Sequence, residues 1–398
     1  VINYLPLLNI FENINFNENL LTILIFIFFI IYVLKTILLI FTNYYQLVFG
    51  FSFNKNISNF FYSKYLNKEY FSFKDLSSSK FIRNTILEID KLTEYLLNNI
   101  KLISEVITFI LITVFLFIYN FLPSLIISTI VCVFALTYYL ILKSRIFKIG
   151  LKRQKFQGQK LKFLNSAFGG IKEIKMTYSE NHFYKKFSKF NKIISNTVIQ
   201  SGFYNILPRY LIELLLVGVF CIFLYLAKLY NLDNNSIISS IPIYLLAFAR
   251  LFPTVNRILI SLQGMKLNKS SIDLIYKKIK EYNAESNFKN DINNDVKISF
   301  KKSIKINIKN FKYSNNSNFK LKNINIEINK GEKVGIIGTT GSGKSTLIEI
   351  LTNIIYLKNG NVLLDNKSTK NFVKKWRSMI GYIPQKIYIL EDTLKNNI

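Results

Sequence analysis

With 398 residues, half of them hydrophobic and 15% aromatic, the chain has length for about two or three domains and ample apolar material for burial. A formal charge of +29 would by itself suggest a polyanionic partner, either nucleic acid or an anionic membrane. Apolar runs of membrane-crossing length decide for the membrane, and no nucleic-acid partner is expected. The two cysteines, Cys132 and Cys221, each lie inside an apolar run with no Cys or His companion, so neither a disulfide framework nor a metal centre is expected.

In chain order, the first apolar run, Leu20 to Phe41, matches the roughly 20 residues that cross a hydrocarbon core of about 30 Å. A second covers Leu102 to Tyr119, and a tight turn with Pro123 leads into a third that ends near Lys143. A fourth covers Ile206 to Ala227. The fifth, Ile237 to Leu262, holds Pro242, Pro253, Arg250 and Arg257 and is the weakest by hydropathy. Residues 1–19, 119–123 and 229–236 contain no Lys or Arg, whereas 42–100 contains seven and 144–205 thirteen. The excess of positive charge places the two long stretches on the cytoplasmic side and accounts for the net charge.

Those stretches carry helical periodicity. Phe81, Ile82, Ile86, Ile89, Leu92 and Leu96 recur at spacings of three and four, the pattern of an amphipathic helix. Two helices of roughly 25 residues per stretch would reach nearly 40 Å beyond the bilayer. Turn-prone segments lie between them, near Asn67 to Asp75 and near Phe168 to Glu180, the latter with Gly169-Gly170. His182, the single histidine, is expected to be a solvated helix residue.

After Gln263 the composition changes. Residues 267–302 are assigned to a linker, with its polar centre at Asn283 to Asp295. Alternating β-type runs follow at Ile304 to Ile308 and Ile324 to Ile328. The apolar run Val334 to Ile337, expected as a buried strand, then opens into Gly338-Thr339-Thr340-Gly341-Ser342-Gly343-Lys344-Ser345-Thr346, with a helix beginning near Leu347. This is G-x-x-x-x-G-K-[ST] in its strand–loop–helix setting. The glycines let the backbone turn tightly, so that successive N–H groups face phosphate oxygens, and the helix adds its positive end. Lys344 supplies a charge to the β/γ-phosphates and Ser345 a hydroxyl for Mg²⁺, so ATP and Mg²⁺ are the expected ligands.

From Ile304 onward the chain resembles the nucleotide-binding domain of exporter-type ABC transporters. Tyr313, in Asn310-Phe-Lys-Tyr-Ser, falls where that family stacks an aromatic ring on adenine. Ile380-Gly-Tyr-Ile-Pro-Gln385 resembles the family's Q-loop, which implies that Gln385 attends Mg²⁺ or the attacking water, and Thr393 to Ile398 fits its continuation. Between Val1 and Ile398 there is no LSGGQ-type signature, no Walker B Asp-Glu pair and no switch histidine. The chain is therefore expected to be a piece of a longer one, lacking sequence at both ends and with it the first of six family spans. The resemblance implies an all-α polytopic membrane domain with long cytoplasmic extensions (1–266), followed by part of an α/β P-loop domain (303–398). It also implies short coupling helices at the tips of the cytoplasmic loops, ATP hydrolysis by a dimer, either two copies or a homologous half-transporter, and an inner-membrane location.

Cargo is read from cations in or near the spans, which are costly there and mark function. Lys35, Arg209, Arg250 and Arg257 qualify, and Arg250 and Arg257, seven apart, share a helix face. Arg209 could pair with Glu213 one turn on, and Arg209 and Arg257 could instead snorkel to the interface. Ala247-Phe-Ala-Arg-Leu-Phe-Pro-Thr-Val-Asn-Arg257, with Leu207-Pro-Arg-Tyr-Leu-Ile-Glu213, resembles the membrane domain of bacterial flippases for lipid-linked oligosaccharides. That resemblance implies that the four cations contact a polyprenyl diphosphate-sugar, although Lys35 stands where arginine is expected. Two other readings stay open: an exporter of peptide, toxin or other lipid, and a non-transporting ATP-dependent membrane regulator.

Overall fold

The computed structural model describes residues 18–397 apart from 69, 71–77, 120, 230–233, 287–297, 314–319, 386, 388 and 390. The polar centre of the expected linker and most of the turn at Asn67 to Asp75 therefore lie outside the described residues. By internal contacts the chain forms two compact units, Val1–Ser63 with Ser78–Lys277, and Lys64–Ser77 with Lys278–Ile398.

The first unit is helical. Helix α1 (Glu18–Leu66) is followed by α2 (Ser78–Ile82), which runs through one wide π turn (Arg83–Leu87) into α3 (Glu88–Tyr119). Then come α4 (Phe121–Gly169), the short α5 (Ile171–Met176), α6 (Glu180–Leu229) and α7 (Asn234–Ser286). Three stretches, Thr22–Leu66, Ser78–Tyr119 and Ser124–Gly169, are long and apolar enough to cross a membrane. The other two expected spans fall inside α6 and α7. Each span continues as helix well past bilayer length, as the periodicity of the basic stretches required. Between α3 and α4 the Ser124 hydroxyl donates to the Leu116 carbonyl at 2.9 Å, binding one of the orphan acceptors of a helix end.

The packing explains the length. From Ile23 to Phe41 α1 exposes nearly every apolar side chain, as befits contact with lipid. Packing begins at Gly50, where an added Cβ would stand 2.8 Å from Leu97, and continues with Asn54, whose amide donates to Asp90 and Thr93 at 3.0 Å each. A core of Val131, Tyr138, Leu142, Ile146, Ile212, Val255 and Leu259 unites α4, α6 and α7.

Residues 267–286, assigned above to the linker, are the last turns of α7, and the first unit extends to Lys277. Some of their polar side chains, which read as solvated, are buried against neighbouring helices. Asn268, Ser270 and Ser271 are all at or below 4% exposure. The Arg153 guanidinium donates twice to Asn268 Oδ1 at 3.2 Å, and the Asn268 amide donates to Glu94 at 3.2 Å. Gln154 donates to Glu88 at 2.8 Å and to the Ser270 carbonyl at 3.2 Å. Buried polar groups are tolerated when paired in this way.

The second unit carries a four-stranded antiparallel sheet in the order β2-β1-β3-β4. Its strands are β1 (Ser303–Phe311), β2 (Leu321–Asn329), β3 (Asn359–Leu364) and β4 (Lys367–Ser368). Ile306 and Ile308 of β1 alternate inward and pack with Leu347 and Ile350 of helix α8 (Lys344–Leu351). Asp365 and Asn366, with φ of 47° and 64°, form the two-residue turn between β3 and β4. The Asp365 carboxylate accepts backbone N–H groups from Lys301, Lys302 and Ser303 at 2.7, 2.7 and 3.0 Å. A 3-10 turn (Thr369–Phe372) and α9 (Val373–Ser378) bury Phe372 and Trp376, and α10 (Leu394–Asn397) follows.

One strand differs from expectation. Residues 332–339 form no strand, and Val334, Ile336 and Ile337 are exposed, Ile337 at 98%. In the sheet as it stands, β1 is paired on both edges, by β2 and by β3, so this run has no place beside it.

Candidate nucleotide site and cargo-contact residues

The loop before α8 has the local geometry its sequence requires. Gly341 and Gly343 take φ of +86° and +99°, where any side chain would be strained, and Gly343 caps α8. At Gly338 an added Cβ would come within 2.8 Å of the Ser342 hydroxyl, so the loop closes on a glycine there too. The Ser342 amide donates back to Thr339 at 3.2 Å, and the first bond of the helix runs from Leu347 N–H to the Gly343 carbonyl at 2.9 Å. The amides of Lys344, Ser345 and Thr346 precede that bond and are the helix's free donors. Lys344 Nζ donates to the Gly338 and Thr339 carbonyls at 2.7 and 2.8 Å, so its ammonium lies over the loop.

Thr339, Thr340, Ser342 and Ser345 are exposed around this ring of amides. Thr346 differs: it is buried, and its hydroxyl is 2.6 Å from the Tyr313 hydroxyl, leaving only its backbone amide for a ligand. Tyr313 also reaches Glu349 at 3.4 Å and meets Phe311 edge-on at 5.2 Å, so its ring is fixed beside the start of α8. Gln385 is exposed on the segment after Ile380, and among the described residues no hydrogen bond joins it to the loop. A polyphosphate with Mg²⁺ fits the donor set: left-handed glycines, a helix start with unspent amides, one ammonium and one free hydroxyl.

The far end of α8 is equally well held. The helix stops at Asn353, whose φ of 54° is left-handed and whose amide donates to Thr369 at 2.6 Å. Trp376 donates to the Leu351 carbonyl at 2.9 Å, and Arg377 donates to the carbonyls of Thr352 and Asn353. Sequence reasoning did not anticipate this brace, whose parts come from separate elements.

The four cations are not alike. Lys35 is exposed on α1, with Nζ 5.1 Å from the centre of the Tyr32 ring. Arg209 and Glu213 are both exposed and, among the described residues, form no ion pair, so the one-turn pair that their spacing allows is not made there. Arg250 is exposed and likewise unpaired. Arg257 is paired: Nε donates to Glu105 Oε1 of α3 at 2.5 Å, and Nη2 donates to the Thr254 hydroxyl at 3.4 Å. Glu105 was not among the expected site residues, although a lone carboxylate inside the run Leu102 to Tyr119 marks it in the sequence.

Residues 321–397 match the family model described as "ABC transporter". Over 249 residues the chain is 30% identical to the multidrug resistance-like ATP-binding protein MdlA of Buchnera aphidicola subsp. Baizongia pistaciae, covering 59% of this chain and 40% of that protein. Over 89 residues it is 39% identical to the ATP-dependent lipid A-core flippase of Wigglesworthia glossinidia brevipalpis, covering 22% and 15%. The fold is similar to that of a bacterial Atm1-family ABC exporter solved with ATP bound, at a TM-score of 0.64 and 14% identity over 86% of this chain and 60% of that one. The chain thus spans well under half the length of either relative. These likenesses support an exporter-type ABC transporter: a nucleotide-binding segment of that family following helices with the exporter fold.

Proposed function

We propose that the protein is the membrane-embedded, ATP-binding part of a dimeric exporter that moves an anionic lipid-linked cargo, most concretely a lipid-linked oligosaccharide, across the bacterial cytoplasmic membrane. The loop Gly338 to Thr346 carries the energetic half of this reading. The amides of Gly341 to Thr346 and the Lys344 ammonium would hold the phosphates, Ser345 and Gln385 would attend Mg²⁺, and Tyr313 would border the base. Bound Mg²⁺ would neutralise phosphate charge, while the loop orients the terminal phosphate. A lipid A-core flippase and a multidrug resistance-like ATP-binding protein among the relatives agree with the class of activity.

For the cargo, support comes from cations where apolar surroundings make them costly. Arg250 is exposed and, among the described residues, has no carboxylate partner, and Arg257 lies one heptad further along the same helix. Guanidinium groups engage phosphates through a planar fork. A second reading rests on the Glu105 pair: with Arg257 already neutralised, a cargo of low charge would suit the same helices. Flipping assays on the paired variant R250Q/R257Q separate the two. Loss of transport of a fluorescent diphosphate lipid is expected, and transport at the unmodified rate would refute the anionic reading.

A further inference from the structure

Glu105 and Arg257 lie 152 residues apart in sequence, on α3 and α7, and meet through one contact. That contact is incomplete in an informative way. A carboxylate and a guanidinium that serve only to clamp two helices pair best through two parallel hydrogen bonds. Here a single bond runs from Nε, while Glu105 Oε2 is buried with no hydrogen-bond partner. The Glu105 side chain is 19% exposed and that of Arg257 is 51% exposed, so the carboxylate is held within the helices while the guanidinium reaches out of them. Of its two terminal nitrogens, only Nη2 has a partner among the described residues, the long bond to Thr254. The open edge of the fork is the part that recognises a phosphate.

Part of the setting of the guanidinium does not depend on Glu105. Thr254 is 1% exposed, and its hydroxyl donates to the Arg250 carbonyl at 2.9 Å, which ties the turn bearing Arg250 to the one bearing Arg257. Contact between α3 and α7 continues away from the pair: a Cβ at Gly264 would stand 2.4 Å from Asn98, and Asn268 bonds Glu94. The helices therefore have other reasons to stay together. The positive-inside count puts this end of both spans toward the cytoplasm, where a newly made lipid headgroup would enter.

We infer that Glu105 is the resident counter-anion of Arg257, and that an anionic cargo headgroup gains Arg257 by displacing this carboxylate. The inference rests on the reading of Arg250 and Arg257 as cargo contacts. Glu105 then acts as a specificity-determining residue. It spares the unloaded protein an unpaired cation at the membrane edge, and it sets a threshold that weakly charged lipids do not pass. A neutral lipid gains nothing by breaking the pair, whereas a diphosphate replaces one bond by a bidentate contact and can engage Arg250 as well.

The test is equilibrium binding to the membrane-embedded protein in nanodiscs, with a polyprenyl diphosphate and the matching neutral polyprenol as probes. For an ion pair this exposed, removing the competing charge with E105Q should tighten diphosphate binding about fivefold and leave polyprenol binding unchanged. R257Q should weaken diphosphate binding. If R257Q weakens it but E105Q leaves it unchanged or weaker, displacement is overturned while the cationic site stands. If R257Q binds the diphosphate like the unmodified protein, the cargo reading itself falls. Equal tightening for polyprenol in E105Q would mean a loosened helix pair and would also overturn the inference. Inorganic diphosphate that competes with the lipid at equal concentration would overturn the assignment to a lipid headgroup. Should E105Q fail to assemble, E105D keeps the charge but draws it back by one methylene. It should shift diphosphate affinity in the same direction by a smaller factor, and no shift would overturn the inference.

Discussion

Replacing Gly341 by alanine isolates what the phosphate loop owes to its backbone. At φ of +86° a Cβ costs about 1–2 kcal/mol through its clash with the following carbonyl. Nothing else opposes it, because a Cβ built there meets no atom within 4 Å. The loop can keep its shape and carry the strain, or relax and turn its amides away from the phosphates. In both cases the free energy appears in nucleotide affinity, which should fall roughly 5–30-fold. Gly360 supplies the contrast. Its φ is +148°, and a Cβ there would lie 2.3 Å from the Asn307 carbonyl on the paired strand, so G360A strikes the sheet rather than the site. Trp376, the single tryptophan and 3% exposed, reports folding of this unit by its emission. Titration with a fluorescent ATP analogue, beside urea unfolding followed at Trp376, should show weaker binding with a nearly unchanged midpoint for G341A. G360A should lower the midpoint. Unmodified affinity in G341A would mean that the left-handed turn is not part of a phosphate cradle.

Three further outcomes follow from single residues. K344M removes the ammonium over the loop and should weaken binding of a fluorescent ATP analogue roughly 10-fold or more; unmodified affinity would remove Lys344 from the candidate phosphate site. Asp365 is held below the ordinary aspartate value of 3.8, first by the Lys301 amide and then by those of Lys302 and Ser303. A depressed folded value means that its stabilisation is complete above the ordinary value and is lost as pH falls through the lowered one. The urea midpoint at Trp376 should therefore drop in strong acid, and D365N should lower it at neutral pH while flattening that acid dependence. N268A strips the buried Arg153 of its two bonds to Oδ1 and Glu94 of one, a loss of about 2–3 kcal/mol. The apparent melting temperature in detergent should fall by several degrees, and an unchanged value would mean that the cluster is solvated.

How much the sequence disclosed depended on whether a signal was local. The left-handed turns at Gly341 and Gly343 and the helix that follows were legible because those residues act on their own backbone. Three membrane-length helices and the helical extensions were legible because helical periodicity is local as well. The two misreadings share a cause: the neighbours that decide them lie far off in sequence. Val334 to Ile337 is apolar enough for a buried strand, yet a strand is buried only by partners that pair with it and cover it, and among the described residues this run pairs with none. Residues 267–277 look like solvated linker, yet Asn268 and Ser270 are buried because Glu94, Arg153 and Gln154 arrive from α3 and α4 to bond them.

Arg257 shows the same dependence at the candidate site. Counted along its own helix it is one of two cations on a face, and among the described residues nothing local to that helix supplies its counter-charge. Its partner lies 152 residues earlier, on a helix whose apolar run conceals a single carboxylate. That pairing changes the electrostatic problem from attraction of an anion by bare charge to exchange of one anion for another. An exchange discriminates by the number of contacts the incoming group can make, and Arg250, without a carboxylate partner among the described residues, would add a contact that Glu105 cannot match.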